Sequence, residues 1–245
     1  MRGDFTAQAE AYARARPGYP ERLVDELVAA AGLRAGDPVA DLGAGTGLFT
    51  TLLAARALAV VAVEPVEAMR RRAPELPGVS WREGTFESTG LPAASVRWAV
   101  AAQAFHWADP PRALPEAHRV LRAGGRLTLL WNDRDVTRSE LLARTRELIE
   151  EVVPGFDEGY RARDWSAVLV STGHFASAIR REESHVVAMT PDRYLDLWRS
   201  HHLLGEAAGR EGVARLLERI APLLPAGGTV AVPYVCRSWS AARVD

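Results

Sequence analysis

"VADLGAGTGLFT", Val39 to Thr50, places three glycines within five residues directly behind an apolar run. The run reads as a strand buried on both faces, and the segment from Leu48 to about Arg56 reads as a helix. A glycine turn between strand and helix leaves backbone N–H groups and a helix N-terminus free to meet a ligand. On either side of this stretch the chain alternates strand-like and helix-like segments, the pattern of a parallel sheet covered by helices. "ERLVDELVAAAG" before it is an amphipathic helix ended by Gly32. After it come the strand "LAVVAVE", the helix "VEAMRRRA", and the strands "VSWREG" and "VRWAVAAQ". "PRALPEAHRVLRAGG" follows as a helix with a glycine stop, then the strand "GRLTLLWN".

Beyond Asn132 the rhythm changes. "TRSELLARTRELIEEVVPGF" and "RDWSAVLVSTGHF" read as helices, as do "TPDRYLDLWRSHHLL" and "GREGVARLLERIAPLL", while "IRREESHVVAM" and "GTVAVPYVCRSWS" read as strands. The expected layout is one domain over 1–245. It has a ligand-binding core at 1–135, final strands at 179–189 and 229–240, and a helical cap drawn from 136–175 and 190–224. His201 and His202 read as helix-end residues, and His118, His174 and His185 show no metal-like partner set, so no metal site is expected.

Composition excludes several classes. There are 30 basic against 31 acidic residues, which offers no excess charge for a nucleic-acid backbone or an anionic membrane. No Lys occurs, so neither Schiff-base chemistry nor a P-loop lysine is available. The lone Cys236 permits no intrachain disulfide and no cysteine cluster. "ALAVVAV" is far short of the roughly 20 residues of a membrane span, and the first residues lack the apolar core of a signal peptide, so a cytoplasmic protein is expected, monomeric or weakly dimeric. "DPPR" at Asp109 to Arg112 is a poor base-flipping motif, because Arg112 stands where an aromatic ring would stack the flipped base.

The glycine loop departs from the dinucleotide fingerprint G-x-G-x-x-G: after Gly43 and Gly45 the third position is Leu48, and Gly47 comes one place early. Glu64, at the end of the second strand and about 20 residues beyond the loop, is suited to accept hydrogen bonds from both hydroxyls of a ribose. Loop and acid together imply a nucleoside ligand. An NAD-dependent oxidoreductase and a non-catalytic nucleotide-cofactor-binding protein remain alternatives at this level.

In order, "DLGAGTG", "VEPVEAM", "GTFESTGLP", "AQAFHW" and "RVLRAGGRL" resemble the motifs of the class I S-adenosylmethionine-dependent methyltransferases. "AYARARPGYP", "FHWAD", "LLWNDRD" and "GGTVAVPYV" are similar to a small-molecule subgroup that includes the trans-aconitate enzymes. The resemblance implies a Rossmann-like α/β fold, a mostly parallel seven-stranded sheet with helices on both faces, and S-adenosylmethionine as cofactor. It implies that Asp41 and the backbone at Gly43, Ala44 and Gly45 face the methionine part, that Glu64 holds the ribose, and that Pro65 and Met69 flank adenine. Met69 reads equally as a core residue on a helix. Thr85 and Phe86 fall where the family reads the adenine edge, with Thr85 a departure from the common Asp, and Gln103 falls beneath the sulfonium. Tyr12, Arg16 and Tyr19 lie in a segment that in similar enzymes folds over the cofactor; Arg16 is either a carboxylate partner or a surface arginine. His106 is the candidate base, with an ordinary pKa of about 6.5, or a positioning residue. Arg134 stands where an acidic acceptor would be read, or forms a charged turn between Asp133 and Asp135. The expected reaction is direct in-line displacement onto a small-molecule acceptor.

Overall fold

A computed structural model describes residues 16–161 and 163–245. Strand β1 (Pro38–Leu42) is the axis of the sheet. Its apolar residues are buried on both sides, as a central parallel strand requires. β2 (Ala59–Val63) and β3 (Val79–Arg82) lie on one side of it in parallel, and β4 (Val96–Ala102) and β5 (Leu121–Arg134) on the other. β7 (Val230–Ala242) runs antiparallel to β5 and carries the edge strand β6 (Ile179–Met189), which gives the order β3-β2-β1-β4-β5-β7-β6. The chain reverses its direction of winding between β1 and β4. In an open α/β sheet such a switch leaves a crevice beyond the carboxyl ends of those strands.

Helices cover both faces. α1 (Glu21–Ala30) and α2 (Leu48–Ala54) pack Leu23, Leu27, Phe49 and Leu53 on the side of Val39, Trp98 and Val100. On the opposite face, α4 (Pro110–Val120) and α6 (Trp165–Val170) cover Ala40, Leu42 and Ala99, and Trp131 stacks on Trp165 at 4.2 Å. Between β2 and β3 stands only the short α3 (Glu67–Arg70). A third core lies at the antiparallel edge. There α5 (Glu140–Val152), α7 (Pro191–Arg199) and α8 (His202–Ile220) bury Leu142, Tyr194, Trp198 and Leu216 with Val232 and Tyr234 of β7.

Five local readings change. The helix expected to run to the glycines after Val120 stops at that residue, because buried Leu121 turns extended (φ −74°, ψ 140°) and pairs with Val96. A turn with Gly124 at φ +73° follows before the ladder resumes at Trp98 and Arg126. α3 ends at Arg70 rather than Ala73. His201 and His202 do not finish α7; His201 caps the start of α8, its Nδ1 accepting from the Leu204 N–H at 3.3 Å. Arg134 is not in a turn, since it ends β5 opposite Tyr234. The break expected at Gly209 is a kink within α8, with φ +65° and ψ 175°.

Candidate active site

The turn after β1 is tied to β2 twice, the N–H groups of Gly43 and Ala44 both donating to the Val63 carbonyl at 2.8 and 3.1 Å. Gly43, Gly45 and Gly47 all take positive φ, where a side chain is strained. A Cβ on Gly43 would also lie 2.7 Å from Ala104 and 2.8 Å from the Phe86 ring, whereas one on Gly45 would meet nothing within 4 Å. The open face of the loop is therefore at Gly45. Glu64, buried at the end of β2, spans the gap: one carboxylate oxygen accepts from the Gly45 N–H and the other from the Val66 N–H, each at 2.9 Å. Burial raises its pKa, opposed by these two bonds and by Arg70. Asp41 is more deeply enclosed. One oxygen accepts from the Thr50 hydroxyl at 2.6 Å and the other has no partner, and burial pushes its pKa up to about 7 against that bond, with the Glu64 charge adding to the rise.

Pro65 follows Glu64, and Met69 is buried on α3. Thr85 closes a small turn with Ser88, and Phe86 packs edge-on against Phe105 at 5.4 Å. Across the crevice, at the end of β4, Gln103 adopts φ +56°, a conformation that costs a non-glycine residue on the order of 1 kcal/mol and gathers at functional sites. Its N–H donates to Leu130 and its amide nitrogen to the Asn132 carbonyl, which leaves the side-chain oxygen buried without a partner.

His106 sits in a single turn of 3-10 helix, Phe105–Trp107, just past Gln103. Its ring stacks on Tyr160 at 4.0 Å, and its Nδ1 accepts from the Trp131 indole N–H at 3.4 Å, which places the proton of the neutral ring on Nε2. Burial, opposed by Glu158, takes its pKa down to about 3. His106 is thus a neutral hydrogen-bond donor rather than a base poised near neutrality. Tyr19 packs on Phe49 at 5.1 Å, and the segment that carries it is tied to the sheet through Asn132, which donates to the Gly18 carbonyl. Tyr12 lies outside the described residues.

A model of the methyltransferase domain matches residues 40–129. Uncharacterized methyltransferases of Mycobacterium tuberculosis and Mycobacterium bovis are each 40% identical over 240 residues, covering 94% of this chain and 92% of theirs. The chain belongs to the methyltransferases. Among solved structures, a candidate type II methyltransferase from Anaeromyxobacter dehalogenans superposes with a TM-score of 0.69 at 27% identity, over 93% of this chain and 97% of that one. Phosphoethanolamine N-methyltransferase 2 of Haemonchus contortus, solved with S-adenosyl-L-methionine, shares the fold at a TM-score of 0.57 and 15% identity, over 98% of this chain and 57% of that one.

Around His106 the methyltransferase carries a network that the sequence reading missed. Glu158 accepts from the Tyr160 hydroxyl at 2.6 Å and from Arg161 at 2.9 Å, and lies 3.5 Å from both Arg134 and His201. Burial works to raise its pKa, but His201, Arg134 and Tyr160 together hold it down at about 2. Arg134 is buried, its guanidinium 4.2 Å from the centre of the Trp198 ring. Glu158 is a common wall of two spaces. One, of about 50 Å³, is lined by Arg16, Gln103, His106 and Tyr160; the other, of about 780 Å³, by Arg134, Leu142, Ile149, Phe156 and Trp198. The signal that could have found the network is the charged, aromatic loop "FDEGYRARD", since loops on a rigid scaffold often carry function. No helix of the described residues is long and apolar enough to cross a membrane.

Proposed function

We propose that this methyltransferase moves a methyl group from S-adenosylmethionine to a small-molecule acceptor by direct in-line displacement. The observation that carries the reading is the pairing, across one crevice, of a bare glycine loop held by Glu64 with a strained Gln103 whose side-chain oxygen is buried and unpartnered. Such an oxygen accepts from, or faces, a cationic group, and a sulfonium with its neighbouring ammonium is one. Asp41 and the backbone at Gly43, Ala44 and Gly45 would hold the methionine part, and Glu64 the ribose. Pro65 and Met69 would flank adenine, with Thr85 and Phe86 at its edge. When bound, the cofactor supplies a methyl carbon activated by a positive sulfur, whose charge is lost on transfer.

The chain's part is alignment and exclusion of water. His106, Trp107 and Tyr160 form an aromatic wall beside Gln103, and His106 offers its Nε2 proton to an acceptor oxygen. With a pKa near 3 it is too weak a base to activate a hydroxyl or ammonium, which favours an acceptor already ionised or carrying a free lone pair. The helices of 136–175 and 190–224 would form a cap over the core of 1–135, and the space lined by Arg16, Gln103, His106 and Tyr160 is where the acceptor atom would meet the methyl group. A place beside the trans-aconitate subgroup, a cytoplasmic location and a monomeric or weakly dimeric state complete the reading.

Incubation with a methyl-labelled donor and a panel of acceptors tests it. Label in a small molecule is expected; label only in nucleic acid or protein would overturn the acceptor class. Affinity for NADH without affinity for S-adenosylhomocysteine would overturn the cofactor.

A further inference from the structure

Away from the cofactor side of the crevice, several buried polar atoms lack partners among the described residues, and two of them, on Tyr234 and Arg193, lie near one another. Tyr234, on β7 opposite Arg134, is 1% exposed, and its hydroxyl makes no hydrogen bond. Arg193, in the first turn of α7, donates through Nη2 to the Arg16 carbonyl at 3.1 Å, while its Nε is buried and unpartnered. The guanidiniums of Arg134, Arg16 and Arg193 all act on the Tyr234 hydroxyl, yet burial keeps its pKa above the ordinary value, so it retains its proton at working pH. Nearby cations are matched: Arg134 faces Glu158, Arg161 is shared between Glu158 and Asp133, and Arg237 pairs with Asp133 and Glu182. Arg193 has no carboxylate partner among the described residues. A buried hydroxyl and a buried guanidinium N–H left without acceptors are costly, and such pairs mark places that a ligand completes.

We propose that Tyr234 and Arg193, with Arg134 beside them, bind an oxyanion group of the methyl acceptor, a carboxylate or a phosphate. The guanidinium edge matches the oxygens of either group, and the phenol adds a third donor from the sheet. Arg16, whose carbonyl Arg193 holds, also lines the small space beside Gln103 and His106, so the bound anion would stand one residue away from the region of transfer. This inference rests on the small-molecule methyltransferase reading.

Calorimetry on the full chain loaded with S-adenosylhomocysteine tests it, with succinate, inorganic phosphate and the uncharged succinamide as probes. Binding of succinate or phosphate, but not of succinamide, is expected, and which anion binds tells the carboxylate from the phosphate. Tyr234→Phe, which keeps the ring in the core, should weaken the anion about 5- to 10-fold, and Arg193→Gln more than 10-fold, both leaving S-adenosylhomocysteine affinity unchanged. Equal binding of succinamide, anion affinity unaltered in both variants, or no anion binding at all would overturn the proposal. So would an anion that binds only cofactor-free protein and is displaced by S-adenosylhomocysteine, which would assign these donors to the cofactor's own carboxylate. Failure of S-adenosylhomocysteine to bind the unaltered chain would instead strike the cofactor reading, leaving the anion titration to be read on its own.

Discussion

Asp41 is a carboxyl group that burial keeps protonated to about pH 7, with one oxygen satisfied by Thr50 and the other by nothing among the described residues. Because its folded pKa lies above the ordinary value of 3.8, the native state binds its proton more tightly than the unfolded state does. This contribution to stability is greatest at acid pH and falls as pH rises from about 4 to about 7, by on the order of 4 kcal/mol. Asp41→Asn should therefore gain on the wild type across that interval and keep a constant advantage above it. Urea unfolding at a series of pH values checks this, and a difference independent of pH would mean that Asp41 is charged throughout. Glu64→Ala should weaken S-adenosylhomocysteine by roughly 1.5–3 kcal/mol in calorimetry, through the lost charged hydrogen bonds and the freed Gly45. His106 carries a different expectation from an ordinary histidine. With an acceptor in hand, its neutral ring should give no inflection between about pH 5 and 8, and His106→Ala should slow turnover about 10-fold with cofactor affinity intact. A rate that rises through pH 6.5 and loses that rise in the alanine variant would restore it as the base.

At the level of elements, the glycine loop divides into two halves with different reasons for being bare. Gly43 is closed in by Ala104 and Phe86, and Gly45 faces open space, though both sit at positive φ. Gly43→Ala should cost roughly 2–4 kcal/mol, from strain plus the collision with Ala104 and Phe86, and be seen first as a fall in the unfolding midpoint. Gly45→Ala should cost about 1 kcal/mol of stability, yet lose cofactor affinity, because the added methyl projects into the space the ligand needs. Equal losses of stability in the two variants would contradict this division. The loop's place was legible because an apolar strand, three glycines and a downstream acid are local signals. The early end of α4 was not, since Leu121 leaves the helix to fill a buried position beside Val96, which only the assembled sheet creates.

On the scale of the whole molecule, the segment around Glu158 joins the helices beyond β5 to the region of His106. Glu158→Gln would leave Arg134 buried over Trp198 without its counter-charge, an expected loss of about 3 kcal/mol near pH 7 by chemical denaturation. The sign with pH is opposite to that of Asp41. Glu158 is held near 2, so its stabilisation is complete above the ordinary value of 4.5 and disappears as pH falls through 2, where wild type and variant should converge. Had Arg134 been the exposed turn residue that "NDRD" also suggests, the substitution would move the midpoint scarcely at all.

The sequence by itself determined the α/β class, the succession of strands through β7, and the glycine turn with Glu64 at the end of the next strand, because each is written in spacing along a short stretch of chain; membership of the methyltransferases followed from the resemblance of several motifs in order. Tertiary structure alone decided what surrounds the chemistry. Glu158, Tyr160 and His201 come together with His106 from distant elements, and Tyr234 and Arg193 are left with buried, unanswered donors. Burial and the loss of water set the pKa values of Asp41, His106 and Glu158, and burial is a property of the packed molecule that no local pattern of residues states.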